Sequence, residues 1–292
     1  MSTELSDLLF NALNEQGYLF QEACKYALEK NEQRIGWEVK AYEYPVSLAG
    51  EDTKVDIVLH AKRQSPPELY ALLECKRADP SYVHWLFGAP GLPFGEPLCS
   101  TLGFKSHSET SSEQPLQVKR LLPRLHFKLL THAAESWLEV KRGSSKRAST
   151  PQNIENAFVQ VLKGVGGFAQ EQLHQRRKGH ASIEIFFVPI VVTTASLHVA
   201  YYETRDIDLT TGKISKDKVL FGPKGLPAEE YPWVLVDYSV GESVAPQPIP
   251  TDYHGVDPSE LQEHKIRSIF VVNSESLVNF FSRLHLAEYI SS

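Results

Sequence analysis

Two acidic residues and a lysine stand at the ends of two apolar segments in the first third of the chain. Asp56 is the one acid in VDIVL, and Glu74 and Lys76 follow closely after LYALL. Burying a carboxylate costs several kcal/mol unless the group is paired or binds a metal. Two acids and a lysine that converge at the ends of apolar strands therefore favour a site for a hard cation. Oxygen ligands favour Mg²⁺ or Mn²⁺ over zinc.

The two apolar segments are predicted to be the arms of a β-hairpin. The first arm is β-branched and apolar apart from Asp56, and the second runs straight into Glu74. The polar run between them contains two adjacent prolines, which disfavour both helix and strand. Because strand side chains alternate between faces, Glu74 and Lys76 share one face, Cys75 takes the other, and Asp56 could reach Glu74. The alternative is a surface hairpin with an ordinary salt bridge.

The tripeptide of an acid, any residue and a lysine occurs five times, so by itself it carries little information. Only Glu74-x-Lys76 closes an apolar strand and follows another strand that contains an acid. Glu139-x-Lys141 is the strongest rival, but apolar residues recur around it at helical spacing, which predicts a helix that Gly143 ends. Those apolar residues are Leu129, Ala133, Trp137 and Val140, and the remaining tripeptides are Glu38-x-Lys40, Asp52-x-Lys54 and Glu263-x-Lys265.

An apolar strand with one Asp, followed by an apolar strand that ends in Glu-x-Lys, resembles the PD-(D/E)xK nuclease superfamily. Val55 stands where that family usually has a proline. The resemblance implies an α/β fold, a restriction-endonuclease-like mixed central sheet flanked by helices, with a long insertion after the Glu-x-Lys strand. It also implies a preceding helix that carries a further acid, and Glu22 occupies the matching place on an apolar stripe. The alternative for Glu22 is an edge position that reaches water or pairs with Lys25 or Lys54.

The same resemblance implies a Mg²⁺-dependent or Mn²⁺-dependent nuclease that hydrolyses phosphodiester bonds, in DNA in preference to RNA. Asp56, Glu74 and Lys76 would be catalytic, with Lys76 positioning or deprotonating the attacking water. Asp56, Glu74, the Cys75 carbonyl and Glu22 would bind the metal. Microbial defence or DNA repair would be its setting, and a homodimer is a weaker expectation. The alternative is a catalytically silent, nuclease-like scaffold that binds nucleic acid or a protein partner.

The whole chain, 1–292, is predicted to form one elaborated nuclease-like domain. Its core would comprise residues 17–78 and 150–203, with an insertion at 79–149 and a C-terminal elaboration at 204–292.

Four local features complete the expected structure. The insertion is predicted to be irregular up to residue 116, with Trp85 and Phe87 as anchors, and helical only after Pro123. A helix is predicted to begin at Thr150-Pro151. Three glycines in this helix allow either a close backbone approach or a kink. Pro189 lies in an apolar strand and is expected at a bulge or at the strand end.

The charge distribution predicts one phosphate-binding face. The net charge of −6 argues against a protein that coats nucleic acid, but residues 117–147 carry eight basic and two acidic residues. The alternative is a set of solvated helix faces and a flexible loop. The proposed nucleic-acid-binding residues are Lys119, Arg120, Arg124, Lys128, Arg142, Lys146 and Arg147.

The remaining sequence features predict a cytoplasmic protein that does not contact the membrane. No segment approaches the roughly 20 apolar residues that span a bilayer, and the N-terminus lacks a basic and then apolar signal. The three cysteines are scattered, which is typical of a reducing compartment.

Overall fold

The computed structural model describes residues 3–15, 17–48, 50–62, 67–91, 99–106, 118–121, 124–125, 127, 129, 133–141, 148–149, 152–175, 183–221, 230–240 and 266–285. The α-helices are α1 (Thr3–Glu15), α2 (Tyr18–Lys30), α3 (Glu32–Ile35), α4 (Gln152–Gln175) and α5 (Leu277–Arg283). Short 3-10 helices lie at Thr204–Asp206, Lys216–Lys218 and Ser274–Ser276.

The strands up to α4 are β1 (Trp37–Leu48), β2 (Glu51–Ala61), β3 (Glu68–Lys76), β4 (His84–Pro90), β5 (Cys99–Ser100), β6 (Leu102–Ser106), β7 (Val118–Leu121), β8 (Arg124–Leu125), β9 (Ala133–Ala134), β10 (Ser136–Val140) and β11 (Ala148–Ser149). The later strands are β12 (Ile183–Thr193), β13 (Ser196–Tyr202), β14 (Leu220–Phe221), β15 (Trp233–Ser239) and β16 (Ile266–Asn273).

The main sheet is mixed and has nine strands, with the order β1-β2-β3-β12-β16-β15-β9 and with β6 and β7 attached to one side of β12. β1, β2 and β3 are antiparallel to one another, whereas β12 runs parallel to both β3 and β16. A parallel pair needs a crossover connection, and α4 lies in the segment that joins β3 to β12. The hairpin predicted around Asp56 is therefore confirmed as β2 and β3.

Helices cover the main sheet on both faces. Alternate residues of β2 and β3, such as Ile57 and Leu73, pack in one cluster with residues of α2 and α5. The intervening residues, such as Val58 and Leu72, pack in another cluster with residues of α4. Since strand side chains alternate, each strand fills both layers. The protein is thus α/β with a mixed sheet flanked by helices, as the sequence predicts.

A second sheet of five strands has the order β11-β10-β4-β13-β14. It corrects the prediction of an irregular segment after residue 79, because Trp85 and Phe87 are buried residues of β4. It also corrects the helix predicted after Pro123, because β8, β9 and β10 lie there. Along β10, Trp137 and Glu139 are more buried than the exposed Leu138, so the true period is two. Pairing with β4 and β11 overrides the helical spacing.

α4 is one continuous helix that lies close to the β1–β2 hairpin. The sequence left open a close approach or a kink at its three glycines, and the close approach is observed. A Cβ at Gly164 would lie 2.8 Å from Val55 Cγ2, and one at Gly167 would lie 2.8 Å from Val46 Cβ. The predicted start at Thr150-Pro151 lies outside the described residues.

Pro189 stands inside the continuous strand β12, contrary to the expected bulge or strand end. β12 pairs with β6 at Ile183 to Phe187 and with β16 from Ile190 onward, which leaves a gap beside Pro189 on that side. A proline nitrogen that faces this gap costs no ladder hydrogen bond.

The C-terminal region contributes strands to the main sheet. β16 lies between β12 and β15, and Phe280 and Phe281 of α5 belong to the core cluster that contains Ile57. The division of the chain into core, insertion and elaboration stays a prediction. Among the described residues, no helix combines the length and the apolar character needed to cross a bilayer.

Candidate active site

Asp56 lies opposite a residue of β1 with an unusual backbone conformation. The register pairs Tyr42 with Ile57 and Tyr44 with Val55, which leaves Glu43 opposite Asp56. Glu43 has a φ of 49°, the one positive φ of a non-glycine residue among the described positions. Such backbone strain clusters at functional sites.

The side chains of β2 do not alternate strictly between the two faces around Asp56. Val55 and Val58 both pack in the cluster beneath α4, whereas Ile57 packs on the opposite face. Strict alternation would place Val55 with Ile57, so the pattern is interrupted at Asp56.

The Asp56 carboxylate is buried between β2 and β3, and only 5% of the residue is exposed. Its Oδ2 atom accepts a hydrogen bond of 2.7 Å from the backbone N–H of Cys75. The side chain of Gln21, on α2, also hydrogen-bonds to this carboxylate. Sequence reasoning missed Gln21, although it directly precedes Glu22 on the same helix.

Glu74 and Lys76 lie side by side at the C-terminal end of β3, as the strand period predicts. Glu74 is only 5% exposed, and its Oε1 atom lies 2.9 Å from Lys76 Nζ. Lys76 is partly exposed, so its ammonium group lies at the boundary between the buried carboxylate and solvent. The sequence motif therefore forms an ion pair at the edge of the core, between a buried carboxylate and a partly exposed ammonium group.

The two buried carboxylates share an excess of negative charge. Burial and, after it, the charge of Asp56 raise the pKa of Glu74 to about 7, although Lys76 opposes both effects. Burial also raises the pKa of Asp56, against the hydrogen bonds from Cys75 and Gln21. Glu43 contributes additional negative charge at both carboxylates. A divalent cation is the ligand that such a site favours.

Cys75 presents its backbone to the site and its thiol to the core. The thiol is buried and hydrogen-bonds with Cys24 of α2, an interaction that together with burial raises the pKa of Cys75 well above its usual range. The backbone N–H points toward Asp56. Because the N–H and C=O of a strand residue point to the same neighbouring strand, the Cys75 carbonyl also faces β2. The carbonyl, not the thiol, is thus the candidate ligand.

Glu22 borders this site through tyrosines. Its hydrogen bond raises the pKa of the exposed Tyr18. Burial raises the pKa of Tyr42, with a further contribution from a hydrogen bond to Glu22. Lys25 Nζ lies over the Tyr42 ring, 4.6 Å from its centroid. Its role as a metal ligand stays a prediction.

Asp56 and Glu74 suit a magnesium ion better than a metal that needs a complete protein cage. Within the described ranges, no three His, Cys, Asp or Glu side chains could hold one ion together. Mg²⁺ commonly uses one or two carboxylates and takes its other ligands from water and substrate phosphates. The donor set of two carboxylates and a carbonyl fits that pattern.

The predicted nucleic-acid-binding residues are described only in part. The backbones of Lys119 and Arg120 lie in β7, and that of Arg124 lies in β8. The other four predicted residues, Lys128, Arg142, Lys146 and Arg147, lie outside the described residues. Neither the approach of this block to Asp56 nor its role is tested, so nucleic-acid binding there stays a prediction.

Comparison with known proteins adds no assignment: no family model matches the chain, and no significant match is found among curated proteins or solved structures.

Proposed function

We propose that this protein is a metal-dependent nuclease of the restriction-endonuclease-like fold that hydrolyses phosphodiester bonds, with DNA as its substrate. The observation that carries the proposal is the pair of buried carboxylates, Asp56 and Glu74, that meet at adjacent strands with Lys76 as their cationic neighbour. If the two carboxylates had only a structural role, we would expect positive partners to neutralise both of them. A buried charge without a complete set of partners is costly.

The arrangement of elements supports the proposed fold. α2 and the short α3 precede the antiparallel strands β1, β2 and β3. After the intervening strands β4 to β11 come α4 and then β12, which is parallel to β3. The resemblance stated above implies a helix before these strands, a mixed sheet flanked by helices and a long insertion after the Glu-x-Lys strand. The acids lie at the end of β3 and on the neighbouring β2, where the resemblance requires them.

In the proposed reaction, Asp56, Glu74 and the Cys75 carbonyl would hold the cation. The bound ion would supply polarisation of the phosphate and a lowered pKa of water. Lys76, which is partly exposed, orients the attacking water and shares the charge that develops on the phosphoryl oxygens. Gln21 and the Cys75 N–H hold the Asp56 carboxylate in place. Cytoplasmic location, a homodimer, and a role in microbial defence or DNA repair remain predictions.

The test is cleavage of supercoiled plasmid, linear duplex, single-stranded DNA and RNA in the presence of Mg²⁺ or Mn²⁺. Glu74→Gln and Lys76→Met should each lower the rate of cleavage roughly 100-fold or more. Lys141→Met is the matched control, because Lys141 closes the Glu139 tripeptide but is exposed, and it should cut like the wild type. Absence of cutting together with absence of divalent-ion binding by calorimetry contradicts the proposal.

A catalytically silent scaffold is the second candidate, and one observation favours it. The Glu74–Lys76 ion pair already gives one carboxylate a partner. A scaffold would bind nucleic acid without cutting, and its binding would be unchanged by Glu74→Gln. A nuclease would instead lose cutting while retaining DNA binding in that variant.

A further inference from the structure

Two histidines meet on the second sheet, outside the site described above. His84 opens β4 and His198 lies in β13, and the two strands are parallel neighbours. His84 Nδ1 lies 3.0 Å from His198 Nε2, and the ring centroids are 5.1 Å apart. The register pairs His84 with Ser196 and Leu86 with His198, so the two histidines are diagonal neighbours on one face of the sheet.

The strands hold the two rings in place before any ligand binds. Trp85 and Phe87 alternate with His84 along β4 and are at most 1% exposed. Leu197 and Val199 flank His198 in the same way and are equally buried. Because these four neighbours anchor both strands in the core, the half-buried histidines on the opposite face have little backbone freedom.

We propose that His84 and His198 form a binding site for a borderline divalent transition-metal ion such as Zn²⁺ or Ni²⁺, with water in the remaining positions. Zinc binds imidazole nitrogen at roughly 2.0–2.1 Å in tetrahedral geometry, which places two such nitrogens about 3.3 Å apart. The observed 3.0 Å between Nδ1 and Nε2 differs from this by a few tenths of an ångström. A small rotation of either ring opens the pair to an ion.

The chemistry of this site differs from that of Asp56 and Glu74. Imidazole suits Zn²⁺, Cu²⁺ and Ni²⁺, whereas carboxylate and carbonyl oxygens suit Mg²⁺ and Mn²⁺. Metal binding requires unprotonated imidazole, and burial together with His84 lowers the pKa of His198, against a weaker effect of Glu230. No third protein ligand joins the two histidines in the described ranges, which gives the site an open coordination sphere.

The experiment is titration of the full-length, tag-free protein with Zn²⁺ and with Ni²⁺ by calorimetry, in excess Mg²⁺ so that oxygen sites are occupied. We expect one ion per chain, and we expect His84→Gln and His198→Gln each to weaken binding about tenfold or more. His174→Gln is the matched control, because His174 is exposed on α4 and lies outside the pair. It should bind the ion like the wild type.

Two further measurements separate this proposal from the proposed nuclease. The Glu74→Gln variant should retain the transition-metal site, and Zn²⁺ should raise the melting temperature of the wild type but not that of His84→Gln. No saturable binding by the wild type overturns the proposal. Binding that survives both histidine substitutions, or that falls equally in His174→Gln, also overturns it. Neither result bears on phosphodiester cleavage, so the two proposals fail independently.

Discussion

Two glutamates in this protein begin a tripeptide of the same Glu-x-Lys pattern and are both buried, yet their surroundings differ. Glu74 and Glu139 each precede a lysine by two residues, lie on strands, and are 5% and 2% exposed. The Glu139 carboxylate accepts hydrogen bonds from Asn153 N at 2.8 Å, Asn153 Nδ2 at 3.1 Å and Ile154 N at 3.3 Å. Glu74 instead faces Lys76 and the like charge of Asp56.

The comparison shows that the cost of burying a carboxylate depends on the hydrogen-bond donors around it. The N–H groups at the start of α4 have no acceptors within the helix, and the Glu139 carboxylate accepts their hydrogen bonds. Its negative charge also interacts favourably with the positive end of the helix dipole. Glu139 is therefore a structural cap, and Lys141 at its side is merely exposed. Within the described residues, Glu74 has no comparable set of backbone donors beside Lys76, so its burial costs stability unless a metal ion binds.

The largest effect we predict is the loss of stability in Glu139→Ala. The substitution leaves the N–H groups of Asn153 and Ile154 without their acceptor, and the free energy of unfolding should fall by roughly 2–4 kcal/mol. Chemical denaturation measures this change. Glu135→Ala is the control, because Glu135 is exposed near the start of the same strand and its loss should change stability by less than about 0.5 kcal/mol. If the two substitutions lowered the free energy of unfolding equally, Glu139 would not be a helix cap and would not differ from Glu74 in this respect.

The opposite sign is predicted for Glu74→Gln in metal-free protein at pH 8. Removing a buried charge that faces Asp56 should raise the free energy of unfolding by roughly 1–3 kcal/mol, even though the ion pair with Lys76 is lost. Denaturation in the presence of a chelator measures the change. A clear destabilisation would mean that the Lys76 ion pair outweighs burial and that Glu74, like Glu139, is a structural residue.

The pH dependence of stability measures the cost of burying Glu74 in the wild-type protein. The pKa of Glu74 is raised from its ordinary 4.5 to about 7, so the folded state binds more protons between those values. The free energy of unfolding should therefore fall as the pH rises from about 4.5 to 7, and the raised pKa of Asp56 acts in the same direction. Glu74→Gln should flatten this slope. A slope that is unchanged in Glu74→Gln would contradict the assignment.

The sequence predicted the elements whose patterns are local. The hairpin of β2 and β3 follows from two apolar segments separated by a polar run, and the pairing of Glu74 with Lys76 follows from the strand period. The placement of α2 before these strands follows from its own apolar stripe. These features depend on neighbours in the sequence, which a single chain displays directly.

The errors arose where distant strands decide the structure. The region around Glu139 has apolar residues at helical spacing, but pairing of β10 with β4 makes it a strand. The cap that Glu139 provides for α4 connects β10 to the helix over a sequence separation of 14 residues, and no local sequence pattern predicts it. Glu43 was missed for a similar reason, since its place opposite Asp56 depends on the register of β1 and β2.

A smaller effect is predicted where α4 passes β2. Gly164 lies against Val55, the residue before Asp56, and a Cβ there would approach Val55 Cγ2 to 2.8 Å. Gly164→Ala should lower the free energy of unfolding by roughly 1–2 kcal/mol, although alanine is the better helix former. Gln160→Ala, on the exposed side of α4, is the control and should not destabilise. Stabilisation by Gly164→Ala would show that helix and strand are not closely packed here.

The smallest predicted effect concerns Glu43, the strained acid opposite Asp56. Its φ of 49° lies in the left-handed region, which costs a residue with a Cβ roughly 1–2 kcal/mol and costs glycine nothing. Glu43→Gly should therefore be more stable than Glu43→Ala by about 1 kcal/mol, the reverse of the usual order within a strand. Both variants lose the 3.1 Å ion pair with Lys54, so that contribution cancels in the comparison. If Glu43→Ala is the more stable variant, the strain is absent, and the contrast between the Asp56–Glu74 site and the Glu139 cap then rests on charge alone.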